Sequence, residues 1–240
     1  MAKLALLIGV SEYAAGLNPL PNAKADAEAM KRVLQHPEMG GFDQVRQLLN
    51  PDRQVMEEAI YDLLTDRQKD DLVLLYFSGH GFTDESGRFY LTTRSTRTEQ
   101  GKLIKVTAVS ADFIQELMSE SRSSRQVIVL DCNFSGAFAR GITALAVKDD
   151  GNIDVRAQLG GRGRAILTSS ASTQYSFTQE ESDLSIYTRY LVEGIATGAA
   201  DRDGDGAISV DELHEYVSTK VREASPAMSP QFYPVAEGYR

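Results

Sequence analysis

Short runs of apolar residues, each bounded by turn-forming residues, recur along the chain. They lie at residues 4–8, 71–77, 127–130 and 165–167. Continuous runs of this length are typical of strands that are buried on both faces of a sheet. Between these runs, apolar side chains repeat at the helical spacing over residues 25–34, 55–64 and 111–118. The alternation predicts an α/β fold in which helices cover both faces of a mostly parallel sheet.

Residues 137–163 interrupt this alternation with charged residues at their centre and glycines at their end. A long segment without a strand or helix pattern inside a compact domain indicates a loop. We therefore expect a single domain over residues 1–240, divided by this loop into a larger part, 1–136, and a smaller part, 164–240.

The charge balance excludes one broad class of partner. The chain has 25 Lys and Arg residues against 34 Asp and Glu residues, for a net charge of −9, whereas binding to nucleic acid requires a clustered basic face. The apolar run at residues 4–8 is too short to span a membrane. The only cysteine, Cys132, cannot form an internal disulfide and fits a reducing compartment. We expect a cytoplasmic protein without nucleic-acid or membrane partners; basic peptides and divalent cations suit its surface.

Candidate chemistry follows two of the predicted strands. The run at 71–77 leads into Ser78-Gly79-His80-Gly81, and the run at 127–130 leads into Asp131-Cys132-Asn133-Phe134-Ser135-Gly136. In parallel sheets, reactive groups collect beyond the carboxyl ends of the strands. Glycines beside a histidine let backbone N–H groups face a substrate oxygen. The two segments therefore predict an active site at one edge of the sheet.

These motifs resemble those of caspase-like cysteine peptidases, in particular the bacterial metacaspase-like (orthocaspase) type. His80 precedes position 133 by about 50 residues, as the caspase histidine precedes its cysteine. Further similarities follow in the order of the family: Ala5-Leu6-Leu7-Ile8-Gly9, Asn22-Ala23-x-x-Asp26-Ala27 and Leu167-Thr168-Ser169-Ser170. The resemblance implies a caspase-like fold and an endopeptidase that cleaves after Arg or Lys.

The resemblance also implies a role for each matching residue. His80 is expected to be the general base, and the Gly81 N–H an oxyanion-hole donor together with the backbone N–H of residue 133. Carboxylates in the S1 pocket would select an Arg or Lys side chain at P1. The positions that match this pocket are Asp26, Ser78 and Asp131. The alternative for His80 is a structural histidine at the end of a strand.

The chain departs from the family at the nucleophile, because Asn133 stands where the family has its cysteine. A carboxamide nitrogen has no accessible lone pair for attack, so peptidase turnover should be absent or very small. Cys132 is not expected to replace it, since consecutive side chains of a strand point to opposite faces. Ser135 lacks the glycine elbow of serine hydrolases.

Residues 201–212 match the twelve-residue calcium loop of an EF-hand. The oxygen donors at loop positions 1, 3, 5, 9 and 12 are Asp201, Asp203, Asp205, Ser209 and Glu212, and Gly206 occupies position 6. Helical patterns flank the loop at 187–197 and 210–221. The match predicts a Ca²⁺ site. The alternative is a turn that caps the next helix, because EF-hands normally pair and this chain has one.

Three functions are compatible with these observations. The first is a caspase-like endopeptidase directed at Arg or Lys and silenced by Asn133. The second is a pseudo-peptidase that binds such substrates, or regulates an active homologue. The third is a Ca²⁺-responsive interaction module that has inherited a peptidase cleft. Asn133 is either a natural loss of the nucleophile or an introduced change. The residue at position 133 of the unmodified coding sequence distinguishes the first function from the second, and a calcium titration tests the third.

Overall fold

The computed structural model describes residues 1–14, 16–134, 164–169 and 183–234. The predicted loop at 137–163 lies outside the described residues. The division of the chain into parts at 1–136 and 164–240 therefore stays a prediction.

The centre of the fold is a sheet whose principal strands follow the order β10-β9-β8-β3-β1-β2. Strands β1, β2, β3, β8 and β9 are parallel to their neighbours, and β10 is antiparallel to β9. Two short strands, β4 and β7, extend the sheet beyond the end of β3, while β5 and β6 form a separate hairpin. The bounds are β1 Lys3–Gly9, β2 Gln44–Leu49, β3 Leu72–Thr83, β4 Phe89–Leu91, β5 Thr98–Glu99, β6 Lys102–Leu103, β7 Val109–Ser110, β8 Arg125–Phe134, β9 Arg164–Thr168 and β10 Gln231–Pro234.

Helices cover both faces of this sheet and create two apolar cores. The described helices are α1 Asn22–Gln35, α2 Arg53–Leu64, α3 Ala111–Glu120, α4 Ile186–Thr197 and α5 Val210–Ala224. On one face, α2 and α3 pack on alternate residues of the strands, such as Leu6, Phe77 and Leu130. On the other face, α1, α4 and α5 pack on the intervening residues, such as Leu7 and Val129. The predicted α/β sandwich with a mostly parallel sheet is confirmed.

The four strands predicted from apolar runs are all present, because each is buried on both faces. Strand β2 was not predicted. It lies at the edge of the sheet, and its sequence, QVRQLL, is only partly buried, so it lacks the continuous apolar signal. No helix in the described part of the chain is long and apolar enough to cross a membrane.

Strands β3 and β8 continue further than their apolar runs predict. Their parallel register pairs Ser78 with Asp131, Gly79 with Cys132, His80 with Asn133 and Gly81 with Phe134. The expectation that both motifs follow the strands was therefore wrong: they form the last residues of the strands themselves. Pairing between the two segments provides the backbone hydrogen bonds that a loop would have to find elsewhere. It also makes His80 and Asn133 register partners on adjacent strands.

Candidate active site

His80 is held in one orientation by the segment that follows β1. The side chain is 6% exposed, and its Nε2 lies 2.8 Å from the backbone carbonyl oxygen of Asn18. Because a carbonyl oxygen only accepts, Nε2 carries the proton and donates it to this bond. The lone pair of the neutral ring is then on Nδ1, which makes Nδ1 the basic nitrogen of this histidine.

Tyr13 supports the same residue from a second direction. Its ring lies 4.8 Å from the imidazole, measured between centroids, and its hydroxyl oxygen accepts the backbone N–H of His80 at 2.9 Å. Burial raises the pKa of the Tyr13 hydroxyl, which therefore stays neutral. Gly79 makes this approach possible, since a Cβ there would lie 2.9 Å from the Tyr13 hydroxyl oxygen and 2.7 Å from Phe77 Cζ.

Two buried carboxyl groups lie on the face of the sheet that α1 and α4 cover. Asp26 is 1% exposed and Asp131 is 3% exposed. Asp26 Oδ2 accepts the Ser78 hydroxyl at 2.9 Å, and Asp26 Oδ1 accepts the Ser185 N–H at 2.9 Å. The Ser185 hydroxyl donates to Asp131 Oδ2. The structure thus joins the three residues predicted for the S1 pocket through one serine.

Ser185 is the N-cap of α4, and the first turn of this helix provides a further donor. The Thr188 hydroxyl donates to Asp131 Oδ2 at 2.7 Å. Because that hydroxyl has one proton, the Tyr76 hydroxyl is the donor in its own bond with Thr188 Oγ1. Thr188 and Tyr76 are both fully buried. A chain of uncharged hydroxyl groups therefore connects the central strand β3 to Asp131.

The environment of the pair favours the neutral form of a carboxyl group. Burial, together with the nearby charge of Asp131, raises the pKa of Asp26 to about 8. Burial also raises the pKa of Asp131, although the hydroxyls of Ser185 and Thr188 oppose this shift. A carboxyl pair that is buried without a cation cannot easily carry two negative charges.

Cys132 lies on the opposite face of the sheet from Asp131. It is fully buried in the core formed with α2 and α3, among residues such as Leu130 and Phe77. Burial and the charge of Asp131 raise the pKa of its thiol well above the ordinary value. A buried, protonated thiol is a poor nucleophile. Its position agrees with the alternation of side chains along a strand.

The resemblance proposes position 133 for nucleophilic attack and Gly81 for oxyanion binding, and both lie in paired strands. Position 133 is the register partner of His80, and Gly81 is paired with Phe134 on one side and with Leu91 of β4 on the other. Ser135 lies outside the described residues. The roles of Gly81 and of the 133 backbone as oxyanion donors stay predictions.

The candidate calcium loop between α4 and α5 brings three of its five predicted ligands together. Carboxylate oxygens of Asp201, Asp203 and Asp205 lie within 4.8 Å of one another. The remaining two predicted ligands form a capping box, in which Ser209 accepts the Glu212 N–H and Glu212 accepts the Ser209 N–H.

Glu212 also closes the loop, because its other oxygen accepts the backbone N–H of Arg202 at 3.0 Å. These hydrogen bonds, that of the Ser209 N–H first, lower the pKa of Glu212 to about 2. The carboxylate is therefore ionised at neutral pH. The loop fits a hard cation in its donor types, and a calcium ion would compete with the backbone for Glu212.

Sequence reasoning missed four residues of this region: Tyr13, Tyr76, Ser185 and Thr188. Only Ser185 had a detectable signal, since a serine directly before a helical pattern is a typical N-cap. Asp131, which accepts hydrogen bonds from Ser185 and Thr188, is 54 residues from Ser185 in the chain. Tyr13 and Tyr76 carried no local signal that would separate them from ordinary core aromatics.

A mostly parallel α/β sheet that carries a histidine on a central strand, with the aspartate motif on its neighbour, is consistent with a caspase fold. The model of the family described as Caspase domain matches residues 2–236. The chain therefore belongs to the caspase-domain family, whose members are cysteine peptidases.

One solved structure similar to this chain is protein GSU0716 from Geobacter sulfurreducens. The TM-score is 0.66 and the sequence identity is 17%, over 99% of this chain and 95% of that chain. At that identity the likeness concerns the fold. No significant match was found among curated proteins.

Proposed function

We propose that this chain is a metacaspase-like member of the caspase family that binds peptides with Arg or Lys at P1 and does not turn them over. The observation that carries the proposal is the buried carboxyl pair, Asp26 and Asp131. Asp26 accepts a hydrogen bond from Ser78 on β3, the strand that also carries His80. All of the described hydrogen-bond donors to this pair are uncharged. A guanidinium or ammonium group would provide the positive charge that the pair lacks.

In the proposed chemistry, His80 acts through Nδ1. The bond from Nε2–H to the Asn18 carbonyl fixes the ring and would stabilise the imidazolium once Nδ1 has accepted a proton. In a family member with cysteine at position 133, that proton comes from the thiol. The carboxamide of Asn133 cannot be activated in this way, so substrate binding would stop before bond cleavage.

The direct test is Asn133→Cys, assayed by release of a fluorophore from peptides that end in Arg or Lys. We expect activity to appear, because only the attacking atom is missing. Adding His80→Ala should abolish the gain. Cys132→Ala should leave it intact, since that thiol is buried on the other face of the sheet. A folded Asn133→Cys chain that stays inactive, with and without calcium, would refute the proposed nucleophile position.

The unaltered chain provides a second test, because the proposed function requires that the chain binds Arg or Lys peptides without cleaving them. A peptide ending in Arg should bind more tightly than the same peptide ending in Leu. Asp131→Ala should weaken binding of the Arg peptide by about 2–5 kcal/mol, the usual cost of leaving one charge of a buried pair without its partner. Equal affinities for the two peptides, measured by calorimetry, would remove the proposed pocket.

We also propose that the loop at 201–212 binds Ca²⁺. The spacing of its oxygen donors and the convergence of Asp201, Asp203 and Asp205 support this proposal. Calcium that binds only the folded state should raise the melting temperature, and Glu212→Gln should reduce the rise. Asp43→Asn, at an exposed aspartate outside the loop, is the control. A melting temperature unchanged by millimolar Ca²⁺ would identify the loop as a helix cap.

A further inference from the structure

The described hydrogen-bond donors to the carboxyl pair are all neutral. The hydroxyls of Ser78, Ser185 and Thr188 and one backbone N–H supply the hydrogen bonds. The positive ends of these dipoles stabilise a negative charge, but they carry no net charge. Two ionised carboxylates in this site would therefore leave the interior with two uncompensated charges.

His80 on β3 lies two residues beyond Ser78, and its Nε2–H donates to the Asn18 carbonyl oxygen. Three further titratable side chains interact electrostatically with the pair: Tyr76 on β3, Cys132 on β8 and Tyr187 on α4. Burial raises the pKa of each of the three groups, so all are neutral around pH 7. The nearest cation along α4, Arg189, lies over the ring of Tyr190 at 5.2 Å.

Burying two like charges together costs several kcal/mol, and a protein avoids this cost by retaining a proton. One proton leaves a single negative charge, which the three hydroxyls and the N–H can stabilise. A cation that enters the site would supply the missing positive charge and remove the reason for retaining the proton. The proton and the cation therefore compete for the same pair.

We propose that Asp26 and Asp131 hold one proton between them in the unliganded chain, and that an Arg or Lys side chain at P1 replaces this proton. The inference rests on the proposed P1 pocket. No covalent bond forms in the exchange: the proton passes from a carboxyl oxygen to the solvent, and the guanidinium or ammonium group takes its place.

This exchange makes peptide affinity depend on pH. Below the pKa of about 8 of Asp26, each bound peptide must release one proton. The association constant should then rise about tenfold per pH unit, because one proton released corresponds to a unit slope. Above that pKa the dependence should level off. A pocket with two permanently ionised aspartates would show no such slope between pH 6 and 8.

The experiment is calorimetric titration of the unaltered chain with an Arg-terminated peptide at pH 6.5, in buffers of different ionisation enthalpy. The dependence of the observed heat on that enthalpy gives the number of protons released, and we expect about one. The same peptide with citrulline in place of arginine has nearly the same shape and no charge. It should bind more weakly and release no proton.

Two variants locate the source of the proton. Asp26→Asn removes one carboxyl group and should reduce the number of protons released, because Asp131 then has no charged neighbour. Asp62→Asn, at an exposed aspartate bonded to Arg46, should leave the number unchanged. Infrared difference spectra should show a protonated carboxyl band in the unliganded chain that disappears when the Arg peptide binds.

The possible results separate this inference from the proposed function. Tight binding of the Arg peptide with no proton released would overturn the exchange and leave the P1 pocket standing. One proton released by Asp26→Asn as well would show that the pair does not share it. Failure of the Arg peptide to bind in any buffer would refute the P1 pocket, and with it the exchange.

Discussion

Thr188→Val tests whether the buried hydroxyl groups, rather than apolar packing alone, stabilise this site. Valine keeps the branched shape of threonine and removes its hydroxyl. Asp131 would lose a donor at 2.7 Å, and the Tyr76 hydroxyl would lose its acceptor. A buried polar group left without its partner, here the Tyr76 hydroxyl, costs about 1–3 kcal/mol. Asp131 keeps the hydrogen bond from Ser185, and the loss of its second donor costs about 1 kcal/mol more. We therefore expect the free energy of unfolding to fall by roughly 2–4 kcal/mol.

The measurement is urea unfolding at pH 7, with two matched variants. Thr188→Ser keeps the hydroxyl and loses one methyl group, so it should cost about 1 kcal/mol. Thr219→Val removes an exposed hydroxyl that donates to the Glu215 carbonyl on the same helix, and should change stability by less than about 0.5 kcal/mol. If Thr188→Val is no less stable than Thr188→Ser, the hydroxyl network does not contribute as described.

Two further changes probe the same region. The raised pKa of Asp26, about 8, means that the folded chain holds more protons than the unfolded chain between the ordinary aspartate pKa and pH 8. The free energy of unfolding should thus fall as pH rises through this range, by at most about 1.4 kcal/mol per unit for one proton. Asp26→Asn should flatten this slope in urea unfolding from pH 5 to 8, and identical slopes would contradict the assignment. Gly79→Ala should lower stability by about 1–3 kcal/mol, because its Cβ would lie 2.7 Å from Phe77 Cζ; an unchanged melting temperature would show that the site relaxes freely.

The fold was predictable because its strands and helices carry strong local patterns. Strands β1, β3, β8 and β9 are buried on both faces and read as apolar runs. The edge strand β2 has only partly buried side chains, and pairing with β1 decides its structure. A pattern within six residues cannot report that pairing.

The candidate site was predictable to a smaller extent. Asp26, His80 and Asp131 were identified through motifs, and their expected roles remain proposals. The donors that join the two aspartates come from the start of α4, far along the chain. The raised pKa of Asp26 depends on burial and on the position of Asp131. These are properties of the assembled fold and leave no mark in the local sequence.

The thiol of Cys132 can report how often the core beside the centre of the sheet opens. It is the only cysteine of the protein, it is fully buried between the sheet and the helices α2 and α3, and the raised pKa of its thiol keeps it protonated. A thiol reagent can therefore modify it only in molecules where this core has opened. The rate of modification gives the free energy of that opening without any engineered probe.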